Sequence, residues 1–302
     1  MKADILNDYL CCTLCQRRCK INRYEAKGYC KSTASLSVAR AALHPWEEPI
    51  ISGTRGSGTI FFSGCSLGCI YCQNHEISGA QLGRELTPKA LADVMLRLEE
   101  RGAHNVNLVT PTHFAPSVRE AILIAKSNGL SLPIVYNTGS YDSQEALSLM
   151  SGLVDVYLPD LKYYRSETAR ELSYAEDYPS VAREAIAEMH RQTGAPVIGE
   201  DGLIRRGTVV RILLLPGHVA EAKLSLKYLY EAYGNEIFVS LMSQYTPIGK
   251  MPPPLDRRVT REEYRQLTDY AERLGVENCF IQDISSSSEA FIPDFKSLEI
   301  PL

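Results

Sequence analysis

No stretch of the chain approaches the ~20 consecutive apolar residues that cross a bilayer. The opening residues, MKADILNDYLCC, carry acidic side chains where a secretory signal needs an unbroken apolar run. Long basic runs are equally missing, and the formal net charge is −4, so neither nucleic acid nor an anionic membrane is an expected partner. There is one tryptophan, no phosphate-binding GxxxxGK[ST] loop, no HExxH helix and no GxSxG elbow. Gly56 and Gly58 lack the third glycine of a dinucleotide fingerprint. No internal repeat or extended low-complexity tract stands out, and 285-SSSS-288 is a short polar loop. What remains is a 302-residue chain, 45% hydrophobic and 23% charged, ordinary for a globular protein and expected in the cytoplasm.

Cysteine is the exception to this scarcity. There are nine, and Cys11, Cys12, Cys15, Cys19, Cys30, Cys65, Cys69 and Cys72 fall in the first quarter, with Cys279 alone as a distant, small core residue. An odd count in a chain without a secretory signal fits a disulfide framework poorly. Clustered thiols in this setting read as ligands of a metal or an iron–sulfur centre.

From about residue 57 onward, short apolar runs alternate with amphipathic segments. Strands are expected at 58–63, 105–109, 133–137, 154–158, 208–215 and 236–242, where β-branched and aromatic residues are dense. Helices are expected at 87–102, 116–128, 142–150, 178–192, 218–232 and 260–274. The first has Thr87 as N-cap, Pro88 at the first helical position, Gly102 past its end, and Leu91, Val94, Met95 and Leu98 on one face. Six strands alternating with helices imply an α/β fold, a partial (β/α)6 TIM-like barrel with a parallel sheet. Its chemistry is then expected just after each strand. Residues 1–56 lack long periodic segments and end in the glycine-rich 52-SGTRGSG-58, so they read as a small Cys-rich N-terminal module beside a barrel domain at 57–302.

The central motif is 59-TIFFSGCSLGCIYCQN-74. Cys65, Cys69 and Cys72 form CxxxCxxC in the loop after the first expected barrel strand, flanked by Gly64 and Gly68. A [4Fe–4S] cluster needs four iron ligands, and three thiolates leave one iron open for a chelating substrate or cofactor. The alternative on spacing alone is zinc, with His75 as fourth ligand.

CxxxCxxC in this position, with Tyr71 before the third cysteine, resembles the radical S-adenosylmethionine superfamily. The stretches around 43–78, 107-NLVTPTHF-114, 160-DLKYY-164, 211-RILLLPGH-218 and 240-SLMSQYTP-247 are similar to its pyruvate formate-lyase activating enzyme-related branch. The resemblance implies that Cys65, Cys69 and Cys72 hold the cluster, whose open iron binds S-adenosylmethionine. One electron then cleaves that cofactor to methionine and a 5′-deoxyadenosyl radical that abstracts hydrogen. By the same resemblance Tyr71 meets the adenine. Where most relatives carry Gly-Gly-Glu this chain has 110-TPTH-113, making Thr110, Thr112 and His113 candidates for the amino group. Asn137 and Thr138 resemble a cofactor-touching Asp-Thr pair, and Asp160 and Lys162 match an Asp-x-Lys motif whose lysine pairs with the methionyl carboxylate. Arg211 and Gln244 complete the implied cofactor site. A zwitterionic ligand independently requires such cations and acceptors near strand ends.

Cys12, Cys15, Cys19 and Cys30 form CxxCxxxCx(10)C, which suits structural zinc or a second iron–sulfur cluster, with Cys11 as an extra neighbour. His44, Glu47 and Glu48 form a compact polar group around Trp46 that either lines the site or anchors its loop. Tyr141, Tyr163 and Tyr164 lie near expected strand ends. The expected activity is hydrogen abstraction, either from a residue of a glycyl-radical enzyme or from another peptide or small molecule. The implied partners are a protein or peptide substrate and a reductant such as flavodoxin or ferredoxin. A non-catalytic metal-binding or electron-transfer module is the competing class.

Overall fold

The computed structural model describes residues 8–282 and Phe295, so the loop expected at 285–288 and most of the C-terminal end lie outside the described residues. One twisted sheet organises the chain. Its strands are β1 (Leu36–His44), β2 (Ser57–Phe62), β3 (Arg84–Leu86), β4 (Val106–Val109), β5 (Ile134–Thr138), β6 (Val156–Pro159), β7 (Val197–Ile198), β8 (Ile204–Leu213), β9 (Phe238–Met242) and β10 (Cys279–Ile281). Their order is β10-β9-β8-β6-β5-β4-β2-β1-β3, with β7 paired to β8.

All six expected barrel strands are present and run parallel from β2 to β9. β10 adds a seventh parallel strand beyond β9. It is three residues long, too short for its pattern to stand out, and Cys279 on it is half-buried. At the other edge β1 runs antiparallel between β2 and β3. β1 lies inside the segment read as free of long periodic elements. It is buried on both faces along most of its length, so no polar–apolar alternation marks it in the sequence.

Among the described residues seven helices of seven residues or more flank the sheet: α1 (Pro88–Glu100), α2 (Ala115–Ser127), α3 (Gln144–Met150), α4 (Ser166–Ser173), α5 (Tyr178–Thr193), α6 (Val219–Tyr233) and α7 (Arg261–Leu274). The start of α1 is as the sequence suggests, with Thr87 Oγ1 accepting from the Ala90 amide at 3.1 Å. Its apolar face meets the outward residues Ile60, Val106, Leu108, Ile134 and Tyr136 in one core. Inside the curve of the sheet, Ile51, Val135, Val156, Leu158, Ile204 and Val209 form a small apolar floor. That dry floor closes the lower end of the barrel and leaves the upper end for polar side chains. Among the described residues no helix is long and apolar enough to cross a membrane.

Candidate active site

Above the floor, inward positions switch from apolar to polar. Asn107 of β4, Asn137 of β5, Asp160 just past β6 and Arg211 of β8 meet there. Arg211 donates from Nη2 to Asn137 Oδ1 at 2.6 Å, from Nε to Asp160 Oδ1 at 2.8 Å, and from Nη1 to Glu47 Oε2 at 3.4 Å. Asp160 also accepts from Lys162 Nζ at 2.6 Å. Glu47 is fixed by Asn107, whose Nδ2 donates to it at 3.0 Å. The backbone aligns these groups, because the Leu161 amide donates to the Arg211 carbonyl at 2.9 Å.

Charge follows from this packing. Burial alone would raise the Asp160 carboxyl, but Arg211 and Lys162 outweigh it and hold the group below the ordinary carboxylate range. Burial likewise opposes the charge on Lys162, and Asp160 overcomes it, so the ammonium is held more firmly than usual. Burial raises both Glu47 and Glu48, with Arg211 opposing.

A cavity of about 210 Å³ lies over this network, and Cys65, Cys69 and Cys72 line it. The loop bearing them leaves β2 through Gly64 and turns again at Gly68, both at φ +88°. A Cβ on Gly64 would stand 2.5 Å from the Cys30 carbonyl oxygen, so only glycine fits there. The Leu67 amide donates to Cys65 Sγ at 3.5 Å, and Ser173 Oγ donates to Cys69 Sγ at 2.9 Å. Burial pushes the Cys72 thiol up to about 12, with Cys69 and Cys65 adding to it.

The other sequence-derived candidates divide in two. Thr110, Asn137, Thr138, Asp160, Lys162, Arg211 and Gln244 line the cavity with the three cysteines, as do His44, Glu47 and Glu48. Thr110 has φ +60°, an uncommon conformation for a β-branched residue and a form of local strain found at ligand sites. Tyr71 lines an adjoining cavity of about 200 Å³ that shares Cys69, Cys72 and Lys162. Its ring meets Tyr245 edge-on, and its hydroxyl accepts from Tyr163 at 2.7 Å. Thr112 and His113 do not line the cavity. Thr112 donates to Asp142 at 2.7 Å, and His113 Nε2 donates to the Ser63 carbonyl at 2.8 Å. Both support the loops after β2 and β5 from behind. Burial, with Arg23 adding to it, lowers His113 to about 3 and keeps it neutral.

Cys12, Cys15, Cys19 and Cys30 form a second group. Burial pushes Cys15 up to about 12, and Cys30, Cys12 and Cys19 lie close enough to add to that. Cys11 is exposed. Among the described residues no group of three His, Cys, Asp or Glu side chains is already drawn together on one metal-ion position. Sequence pattern alone does not single out Arg17, which donates to the carbonyls of Ser66, Leu67, Ser173 and Tyr174. Asn107 does leave a signal, as the one polar residue of the otherwise apolar strand VNLV.

The family model of the radical SAM superfamily matches residues 59–227, more than half of the sequence. The chain belongs to the radical SAM superfamily. Members of this superfamily use a [4Fe–4S] cluster and S-adenosylmethionine, and so does this chain. It is 28% identical over 289 residues to the uncharacterized protein MJ0674 of Methanocaldococcus jannaschii, covering 92% of this chain and 79% of that one.

Solved structures agree in fold. A radical SAM methyltransferase from Sphaerobacter thermophilus superposes with a TM-score of 0.52 at 17% identity, over 76% of this chain and 68% of that one. Streptococcus suis SuiB bound to S-adenosylmethionine gives 0.51 at 11% identity, over 72% of this chain and 48% of SuiB. SuiB bound to its precursor peptide SuiA gives 0.50 at 13% identity, over 72% of this chain and 46% of SuiB. This chain thus spans less than half the length of SuiB. The donor set fits the cofactors of the superfamily: three thiols without a fourth cysteine stand beside a buried cation–carboxylate network in one cavity.

Proposed function

We propose that Cys65, Cys69 and Cys72 hold the cluster, and that the chain abstracts a hydrogen atom from a polypeptide in the manner of a glycyl-radical activating enzyme. The observation that carries this reading is the shared cavity, which sets three thiols and the Asp160–Lys162–Arg211 network against one space. When bound, the cluster supplies the electron that cleaves S-adenosylmethionine to methionine and a 5′-deoxyadenosyl radical. Lys162 is the cation for the methionyl carboxylate. Thr110, Thr138 and Asn137 serve the amino group, and Tyr71 and Gln244 border the adenine. Thr112 and His113 position the loops instead of touching the cofactor.

The shape of the opening supports a chain-like substrate. The cavity adjoins another of about 380 Å³ that shares Trp46, Glu47, Gln244 and Gln282 and reaches Phe280 and Ile281 on β10. An elongated opening along a sheet edge suits an extended peptide. SuiB, a structural neighbour, has been solved bound to its precursor peptide SuiA. The electron donor is proposed to be a flavodoxin or ferredoxin.

The test uses the anaerobically reconstituted, reduced chain with S-adenosylmethionine and glycyl-radical enzymes whose glycines are deuterated. The expected product is 5′-deoxyadenosine carrying deuterium, with no product from the Cys69→Ala variant. Deuterium absent from the product while a small molecule is consumed would overturn the polypeptide substrate.

A further inference from the structure

The N-terminal cysteines are not used by the reaction just described, yet they are packed directly against its loop. Cys19 and Cys30 flank Gly28, since a Cβ there would lie 3.5 Å from Cys30 Sγ and 3.7 Å from Cys19 Sγ. The Tyr29 amide donates to Cys19 Sγ at 3.4 Å, much as Leu67 does to Cys65. Lys20 and Lys31, each following a cysteine, have φ of +54° and +63°, so the chain reverses sharply after both. Cys12, Cys15 and Cys30 are buried.

A buried cation points to what these thiols hold. Arg23 is fully buried, and among the described residues no carboxylate pairs with it. Its guanidinium donates to the carbonyls of His113 and Thr33 and reaches Cys12 Sγ at 3.8 Å, while Nε has no partner. A buried guanidinium that meets no carboxylate among the described residues is costly, and a thiolate-held centre beside Cys12 would carry a negative charge to answer it.

Position favours one kind of thiolate centre. Zinc carries no electron, whereas an iron–sulfur core does, and these thiols lie against the loop that bears Cys65, Cys69 and Cys72, with the Cys30 carbonyl beside Gly64 and the Tyr29 hydroxyl beside Gly68.

We propose that Cys12, Cys15, Cys19 and Cys30 hold a second iron–sulfur cluster set against the loop of the first. Tyr29 links the two sites: its amide faces Cys19, and its hydroxyl would stand 3.2 Å from a Cβ on Gly68, between Cys65 and Cys69. Arg17 covers the Tyr29 ring at 3.9 Å and holds the Ser66 and Leu67 carbonyls. An electron from a low-potential donor of the ferredoxin or flavodoxin class would cross where these loops touch, with no bond made or broken. The role of a second cluster as a relay rests on the reading of Cys65, Cys69 and Cys72 given above; its presence does not.

The full chain is reconstituted anaerobically with iron and sulfide, and metals, labile sulfide and electron paramagnetic resonance spectra are recorded. Wild type should hold about eight irons and about eight sulfides, and the Cys65→Ala/Cys69→Ala/Cys72→Ala variant about four of each. The variant's reduced signal should ignore S-adenosylmethionine, and fully reduced wild type should show coupling between two nearby spins. An iron-free triple variant, or one zinc per chain at this site, would overturn the proposal. Should the variant fail to fold, wild type decides: about eight irons support the second cluster and about four exclude it. A wild-type spectrum indifferent to S-adenosylmethionine with about eight irons present would instead remove the reading of the first site and leave this one standing.

Discussion

Arg211 and Asp160 face each other across β8 and the end of β6, with Nε donating to Oδ1 at 2.8 Å. Lys162 takes the other oxygen of the same carboxylate. The three charges are mostly buried, with side-chain exposures of 13% for Arg211, 19% for Asp160 and 17% for Lys162. One carboxylate thus holds two cations at the mouth of the barrel, and Glu47 offers the second counter-charge to Arg211.

Removing that carboxylate charge leaves Arg211 with Glu47 as its paired carboxylate and takes from Lys162 the carboxylate it is paired with. Asp160→Asn should therefore destabilise the chain by about 3 kcal/mol, the scale for breaking one side of a buried pair. It should also weaken S-adenosylmethionine binding, because Lys162 loses its anchor. Urea unfolding of the variant and calorimetric titration with the cofactor check both effects. Unchanged stability and affinity would mean that Glu47 alone can hold the site.

Acid should weaken the fold through His113. Its pKa in the folded chain, about 3, lies below the ordinary 6.5, so below the latter pH the unfolded chain takes up a proton that the folded chain refuses. This contribution to stability is complete above pH 6.5 and declines as pH falls toward 3. His113→Gln retains a donor for the Ser63 carbonyl and removes the titration. The drop in urea midpoint between about pH 7 and about pH 5 should be smaller in the variant than in wild type. Equal drops would show that His113 is not the group responsible.

Gly64 tests how closely the two cysteine groups are packed. Alanine there would adopt an unfavourable left-handed conformation, costing about 1–2 kcal/mol, and its Cβ would press on the Cys30 carbonyl and the Ser32 hydroxyl. Gly64→Ala should lower the thermal midpoint and reduce iron retention at both cysteine groups together. Gly129→Ala is the control, because that glycine also has positive φ but nothing lies within 4 Å of its Cβ position. Equal iron retention in the two variants would argue that the loops are not coupled.

Much of this architecture was legible in the sequence because local chemistry determines it. The short apolar strands, the Thr87–Pro88 helix start and the CxxxCxxC spacing are all properties of neighbouring residues, and each is seen where the pattern predicts. Polar residues directly after strands, such as Asp160 and Lys162, point to the site because the sheet is parallel. Local pattern is silent where partners are far apart in the chain. Thr112 and His113 sit in the same loop as Thr110, yet hydrogen bonds to Asp142 and Ser63 turn them from the cavity. β1 is nearly continuous in its burial, and β10 is too short to carry a pattern.

The sequence by itself determined a barrel of alternating strands and helices and a three-thiol loop at its mouth. It also placed four cysteines, Cys12, Cys15, Cys19 and Cys30, in one short segment. Only the tertiary structure decided that Glu47 reaches Arg211, that Arg17 clasps the Ser66–Leu67 turn, and that Cys30 lies against Gly64. The reason is physical: these contacts join segments from 34 to 164 residues apart, and no short-range periodicity encodes the closing of such loops.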